Sequence, residues 1–281
     1  MSKKVLMVTG ASKGIGLEVV LKGLEAGYNV VGTSRSASRL TESVLSRMPE
    51  AKNRFLALEM NFDEASIKAA ISRVMEHFGS LDVLVNNAGY AILGAVEEFS
   101  VEEVKTNFDV NVFGLLSVMQ AVLPYMRQAK SGHIINLASI SGTITGPAQG
   151  VYSATKAAVI MLSEALKEEV APFNIQVTAI CPGGVRTDFL DHSSMKKPVK
   201  EIPSYHLVKQ TMQGLGQLNH NQSGDPSLVA QAIIRVAEMA EAPARLYLGG
   251  GALAGLQHKI EEVVQEANLY TELSLSTDRK E

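Results

Sequence analysis

Val5-Leu6-Met7-Val8-Thr9-Gly10-Ala11-Ser12-Lys13-Gly14-Ile15-Gly16 is the stretch that decides the fold. A short apolar run, of the kind a buried strand makes, breaks into three glycines, and a helical pattern follows over 15–26. Strand, glycine turn and helix in that order let the backbone turn tightly and let a pyrophosphate approach the N–H groups at the helix start. The spacing is G-x3-G-x-G, not the GxGxxG of the general dinucleotide fingerprint. Tight turns also use glycine, so the reading depends on what surrounds the loop.

Outward from this loop the same alternation continues. Val5–Thr9, Asn29–Thr33, Phe55–Leu58, Val83–Asn86, His133–Ala138, Ile175–Ile180 and Leu246–Leu248 read as seven strands, several of them continuously apolar. Continuous apolarity is the mark of parallel strands covered on both faces. Helical patterns lie between them near 15–26, 37–47, 64–78, 101–128, 152–170 and 226–240. Ser100 with Glu103 forms a capping box, and Asp225-Pro226 offers an N-cap with proline at the first helical position. This order predicts an α/β chain: one Rossmann-type, doubly wound, parallel seven-stranded sheet flanked by helices, with a C-terminal helical extension. Ligands of such a sheet bind beyond the carboxyl ends of the strands.

Composition excludes several other classes. The chain has 281 residues, 46% hydrophobic and 20% charged, enough apolar side chain for a sizeable core. A formal net charge of −3 argues against a nucleic-acid partner, which calls for a basic excess. No apolar run approaches the roughly 18 residues that a membrane span requires. The basic start, Met1-Ser2-Lys3-Lys4, lacks the long apolar stretch of a signal peptide, and the expected location is the cytoplasm. The single cysteine, Cys181, cannot form an internal disulfide and reads as a small packed residue. No HxxxH or CxxC pair occurs, so no metal is expected.

About twenty residues past the glycines, NAD-binding proteins place an acid for the ribose hydroxyls. Here the second strand ends in Gly32-Thr33-Ser34-Arg35-Ser36, and no Asp or Glu occurs between Glu25 and Glu42. Ser34 and Arg35, with Lys13 or Arg39 as further candidates, suit a 2′-phosphate through charge-assisted hydrogen bonds. The expected cofactor is therefore NADP(H).

After the fourth strand comes Asn86-Asn87-Ala88-Gly89. After the fifth comes Ser139, and thirteen residues later Tyr152-Ser153-Ala154-Thr155-Lys156. Asn111 lies inside the long fourth helix, and Pro182-Gly183-Gly184-Val185-Arg186-Thr187 follows the sixth strand. Together with the TGxxxGIG loop, this set closely resembles the short-chain dehydrogenase/reductase superfamily in its single-domain branch, and in particular its carbonyl reductases or ketoreductases. The resemblance runs from residue 4 to about 248.

It implies a catalytic tetrad of Asn111, Ser139, Tyr152 and Lys156. It also implies a cofactor site built from Gly10, Ser12, Lys13, Gly14, Ile15, Gly16, Ser34, Arg35, Asn87, Ala88, Gly89, Tyr152, Lys156, Pro182, Gly183, Val185 and Thr187. The adenine contact after the third strand falls to Asn61 or Asp63, the latter equally readable as the N-cap of the next helix. The resemblance further implies that Lys156 binds the nicotinamide ribose and that Asn111 anchors a proton relay.

Residue chemistry is consistent with these roles. Tyr152 and Lys156, four residues apart, share one helix face. A cation about 4 Å from a phenolate stabilises it by roughly 4 kcal/mol at an effective dielectric of 20, enough to bring a tyrosine from about 10 toward about 7. A phenol so tuned exchanges a proton with a carbonyl oxygen, and Ser139 helps to hold the developing charge.

Residues 1–251 read as a single catalytic domain with a substrate lid at 188–224, too long for a plain connection. The lid's Phe189, Leu190, Met195, Ile202, Tyr205, Leu207, Val208, Met212 and Leu215 face Tyr90–Val96 and Ile140–Gln149 and favour a bulky apolar ketone or aldehyde. Lys196, Lys197 and Lys200 read as the lid's solvated face, the alternative being recognition of acidic 3-oxoacyl thioesters. A cofactor-sensing scaffold on the same fold is the rival of a different class, disfavoured by the complete tetrad. Residues 252–281 read as a helix and tail packed on the same domain, with Leu253, Leu256, Ile260, Val263, Val264 and Ala267 at helical spacing and the residues from Ser276 fraying. A share in a subunit interface is the alternative for this helix, and a homo-oligomer, dimer or tetramer, is expected.

Overall fold

All seven strands form, and they make one parallel sheet. They are β1 (Val5–Val8), β2 (Asn29–Ser34), β3 (Phe55–Glu59), β4 (Val83–Asn86), β5 (Gly132–Leu137), β6 (Ile175–Pro182) and β7 (Arg245–Leu248). The computed structural model describes residues 3–191 and 193–279. The first two residues of the basic start and the last two of the tail lie outside them. Strand order is β3-β2-β1-β4-β5-β6-β7, every neighbouring pair parallel. The order reverses between β1 and β4, so the loops leaving these two strands diverge and open a crevice at their carboxyl ends.

Ten helices among the described residues complete the fold: α1 (Gly14–Glu25), α2 (Ala37–Leu45), α3 (Glu64–Phe78), α4 (Val101–Phe108), α5 (Leu115–Ala129), α6 (Gly150–Val170), α7 (His206–Leu218), α8 (Pro226–Ala237), α9 (Gly250–Leu269) and α10 (Thr271–Leu275). Successive strand residues point to opposite faces, which divides the core in two. Val5, Met7, Leu84, Ile134 and Val177 pack with α3, α5 and α6; Leu6, Val8, Val85, Ile135 and Ile180 pack with α1 and α8. Both helix-start signals hold. Ser100 Oγ accepts from Glu103 N at 3.2 Å while Glu103 Oε2 accepts from Ser100 N at 2.8 Å, and Asp225 Oδ1 accepts from Ser227 N at 2.7 Å.

Three expectations need correction. The long fourth helix is not uniform: a π-helical segment at Asp109–Gly114 separates α4 from α5, and Asn111 sits in it. This run, Val101–Ala129, is also long and apolar enough by length and composition to cross a membrane. Polar residues interrupt it, so it does not read as one apolar run. Leu115, Val118, Met119, Val122 and Met126 account for its composition by packing into the core. Finally, α9 packs on its own domain only at its start, where Ala252 is buried and Gly255 passes beside Ile144. From Glu261 onward the described residues are exposed; α9 leaves from β7, the edge strand of the sheet.

Candidate active site

The glycine loop is shaped by close approach. Gly10 has φ +65°, and a Cβ there would meet Ala88 Cα at 2.7 Å; at Gly16 it would meet Asn87 Nδ2 at 2.4 Å. Any side chain at either position displaces the loop after β4. Asn87 fastens the two loops together: its Nδ2 donates to the carbonyl oxygens of Thr9 and Gly10, each at 3.0 Å, and its backbone N–H donates to Thr9 Oγ1 at 3.0 Å. The N-terminus of α1 carries no side-chain cap and no acid in its first turn. Its first N–H groups therefore remain available to an anion.

These loops form one wall of a cavity of about 740 Å³ along the carboxyl ends of the strands. Ser12, Lys13, Gly14, Ile15, Ser34, Arg35, Asn61, Ala88, Gly89, Pro182, Gly183, Val185 and Thr187 all line it, together with Gly10 and Asn87. Gly16 and Arg39 do not; Gly16 lies beneath the loop, against Asn87. Asp63 does not line it either, because its Oδ1 caps α3 by accepting from Ser66 N at 2.8 Å. Asn61 is the lining residue of that pair. Among the described residues the lining holds four cations, Lys13, Arg35, Lys156 and Lys196, against one carboxylate, Asp188. The balance favours an anionic guest.

Ser139, Tyr152 and Lys156 line the middle of the cavity. Tyr152 and Lys156 come from the buried face of α6, and Ser139 from the turn after β5. Lys156 Nζ donates to the carbonyl oxygen of Leu137 at 2.8 Å and stands 5.9 Å from the centroid of the Tyr152 ring. Burial pushes the lysine down to about 8. Burial pushes the phenol up from its ordinary value, with the Ser139 hydroxyl pulling the other way. The lowered tyrosine expected from the i, i+4 cation is thus not found. Desolvation is the largest cause at both groups and penalises both charged forms.

Asn111 lies behind this group rather than on the cavity wall. Its Oδ1 accepts from Tyr90 N at 3.0 Å, and its Nδ2 donates to Tyr90 O at 3.0 Å and to Thr155 Oγ1 at 3.1 Å. The π-helical turn presents it to the loop after β4 and to α6 at once, a common use of such turns.

Beyond Tyr152 the cavity becomes apolar. Phe189, Leu190, Met195, Met212 and Leu215 pack around Ala91, Leu93 and Tyr152, with the Phe189 and Tyr152 ring centroids 5.8 Å apart. Phe189, Leu190 and Leu215 line the main cavity, whereas Met195 and Met212 line an adjoining one of about 540 Å³. The segment expected as a lid contains α7 and a two-residue strand, Met195–Lys196, paired in parallel with Ala91–Ile92. Ile202, Tyr205, Leu207 and Val208, expected as lining, face neither cavity. Lys196 is exposed, as the solvated-face reading expects, and it also lines the cavity, with its Nζ 4.9 Å from the Tyr90 ring centroid.

A family model described as short chain dehydrogenase matches residues 4–198. The chain belongs to the short-chain dehydrogenase family. Oxidoreductase BOA17 of Botryotinia fuckeliana is 33% identical over 98% of this chain and 99% of its own length. The 3-ketodihydrosphingosine reductase of Bacteroides thetaiotaomicron is 38% identical over 73% of this chain and 72% of its own. A short-chain dehydrogenase from Streptomyces avermitilis superposes with TM-score 0.88 at 35% identity, covering 98% of this chain and all of that one. ElxO, solved with NADP bound, superposes with TM-score 0.75 at 26% identity, covering 90% and 100%.

Three groups that shape the site of this short-chain dehydrogenase escaped the sequence reading. The Leu137 carbonyl that holds Lys156 carries no signal in a side-chain string. Thr155, between Tyr152 and Lys156, reads as an ordinary helix residue. Ser193, whose Oγ accepts from Lys13 Nζ at 2.6 Å, ties the lid to the glycine loop across 180 positions.

Proposed function

We propose that the chain is an NADPH-dependent carbonyl reductase that converts a bulky apolar ketone or aldehyde to the alcohol, reversibly. The observation that carries this reading is the position of Tyr152, between the cation-rich glycine end of the cavity and the apolar lid. The residues present fit a dinucleotide: a glycine loop on the cavity wall, an uncapped helix start behind it, and four cations against one carboxylate. The glycine loop would hold the diphosphate, Asn61 the adenine, and Ser34 with Arg35 the 2′-phosphate. Gly183, Val185 and Thr187 would flank the nicotinamide, and Lys156 its ribose. When bound, the cofactor supplies the hydride.

The chain's own groups do the rest. Tyr152 donates its proton to the carbonyl oxygen as negative charge builds there, and Ser139 donates a hydrogen bond to the same oxygen. Lys156, with Leu137 O fixing its head, favours the phenolate that remains. Asn111 holds the Tyr90 backbone and Thr155 in place behind them. The lid's Phe189, Leu190 and Leu215 exclude water and bind the apolar body; burying about 150 Å² contributes roughly 4 kcal/mol.

NADPH oxidation followed with a panel of aryl, polycyclic and long-chain ketones tests the reading. Turnover of at least one of them, faster with NADPH than with NADH, is expected; no turnover across the panel sinks it. A second reading, an acidic 3-oxoacyl thioester as substrate, is favoured by one observation, Lys196 at the cavity wall beside Tyr90. A higher kcat/KM for an acetoacetyl thioester, lost in Lys196→Met, would select it.

A further inference from the structure

α9 leaves the domain with its apolar face uncovered. It spans twenty residues, about 30 Å at 1.5 Å per residue. Leu253, Ile260, Val263 and Val264 are 49%, 54%, 49% and 52% exposed. A lone helix of this length is marginal in water, since nucleation is costly and propensity contributes little. Its apolar stripe needs a cover, and the domain provides none beyond the first turns.

The stripe has a regular period. Leu253, Leu256, Ile260, Val263, Ala267 and Tyr270 follow one another in alternating steps of three and four residues. That is the seam of a left-handed helix pair. Lys259 and Glu266, seven residues apart, flank one edge of it.

We propose that α9 pairs antiparallel with α9 of a second copy of this chain, about a two-fold axis between Glu261 and Glu262. In that register Ile260 packs on the partner's Val263, Leu256 on the partner's Ala267, and Leu253 on the partner's Tyr270. Each contact occurs twice, as an isologous interface requires. The same register brings Lys259 beside the partner's Glu266, and Glu266 beside the partner's Lys259. In a parallel pair Lys259 would face the partner's Val264 and Glu266 the partner's Thr271, so neither charge meets its opposite. The free chain holds Lys259 against its own Glu262 at 2.8 Å, an exposed pair that exchanges readily. Glu261, Glu262 and Glu266 disfavour an anionic lipid surface, and the Lys259–Glu266 complementarity favours a second copy as the occupant.

The full-length protein carrying Ile260→Cys and Val263→Cys together should form a disulfide-linked dimer under mild oxidation, seen on a non-reducing gel. Either single variant should link markedly less, because each cysteine would face a residue of the other type; Cys181 is buried and gives little background. Absence of the link in the double variant, or an equal yield from a single variant, overturns the proposal. Light scattering gives the companion readout. Lys259→Glu should lower the fraction of dimer several-fold, and adding Glu266→Lys should restore it. Failure of the rescue overturns the register.

Discussion

Lys156 Nζ is anchored on the carbonyl oxygen of Leu137, the last residue of β5, at 2.8 Å. One strand end therefore positions both the lysine and, two residues on, Ser139. Because Lys156 is buried with its pKa pushed down to about 8, its charge depends on pH where enzymes are assayed. The charged form attracts an anionic cofactor. NADPH affinity should accordingly weaken as pH rises through about 8, and Lys156→Met should bind more weakly and lose this dependence. Fluorescence titration from pH 7 to pH 9.5 checks it; parallel curves for the two proteins would contradict it.

Tyr152→Phe removes the proposed proton donor while keeping the ring against Phe189. General acid catalysis contributes about 10²–10⁴-fold, so kcat should fall by at least about 100-fold. NADPH affinity should stay within about twofold. Near wild-type turnover would take the proton-donor role away from Tyr152.

Arg35 is exposed and lines the cavity just past β2, beside Ser34, and no Asp or Glu occurs between Glu25 and Glu42 to favour free ribose hydroxyls. A hydrogen bond to a charged group contributes about 1.5–3 kcal/mol, so Arg35→Ala should weaken NADPH by roughly 10–100-fold. NADH should change little. Equal losses with both cofactors would remove Arg35 from the phosphate site.

His133 offers a test of stability. Thr178 Oγ1 donates to Pro243 O at 2.8 Å, so its oxygen accepts from His133 Nε2–H at 3.0 Å, leaving buried Nδ1 without a partner. Burial pushes the imidazole down to about 4, whereas in the unfolded chain it titrates near 6.5. Between these values the unfolded chain binds the extra proton, so stability falls as pH falls from 6.5 to 4. The loss from this group is about 3 kcal/mol. His133→Gln keeps a donor for Thr178 and cannot titrate in this range. Denaturant melts at pH 7 and pH 4.5 should show a smaller acid loss in the variant.

Much of this was legible in the sequence because the signals are local. The seven strands are short apolar runs between turn residues, and Ser100-Glu103 and Asp225-Pro226 mark helix starts by their own chemistry. What was not legible is set by tertiary context. α7 is amphipathic, but Gly214 and Gly216 interrupt its helical signal and it has no fully buried side chain. The π-helical turn at Asp109–Gly114 leaves the apolar pattern on either side intact. The Tyr152 pKa went the other way because burial has no sequence signature, while an i, i+4 lysine does. α9 showed its stripe plainly, and only the structure shows that its own domain leaves that stripe uncovered.

The proposed lid is held to the body by carboxylates. Glu98 is buried, its Oε2 accepting from Ala95 N and its Oε1 from Ile202 N, both at 2.8 Å. Glu103 Oε1 accepts from Val199 N at 3.0 Å, and Glu97 accepts from the Tyr205 hydroxyl. Residues 199–205, which line neither cavity, are thus a strap that sets where α7 begins. Glu98→Ala leaves two backbone donors without partners, at about 1–3 kcal/mol each if they stay dry. The melting temperature should fall by several degrees. The functional effect should be confined to one side of the site: KM for a bulky ketone should rise several-fold while NADPH affinity stays unchanged, because the strap touches the lid and not the glycine loop. A lowered melting temperature with unaltered KM would make Glu98 a fold residue only. A loss of NADPH affinity as large as the rise in KM would mean that lid and cofactor end move together, through the Lys13–Ser193 hydrogen bond that joins them.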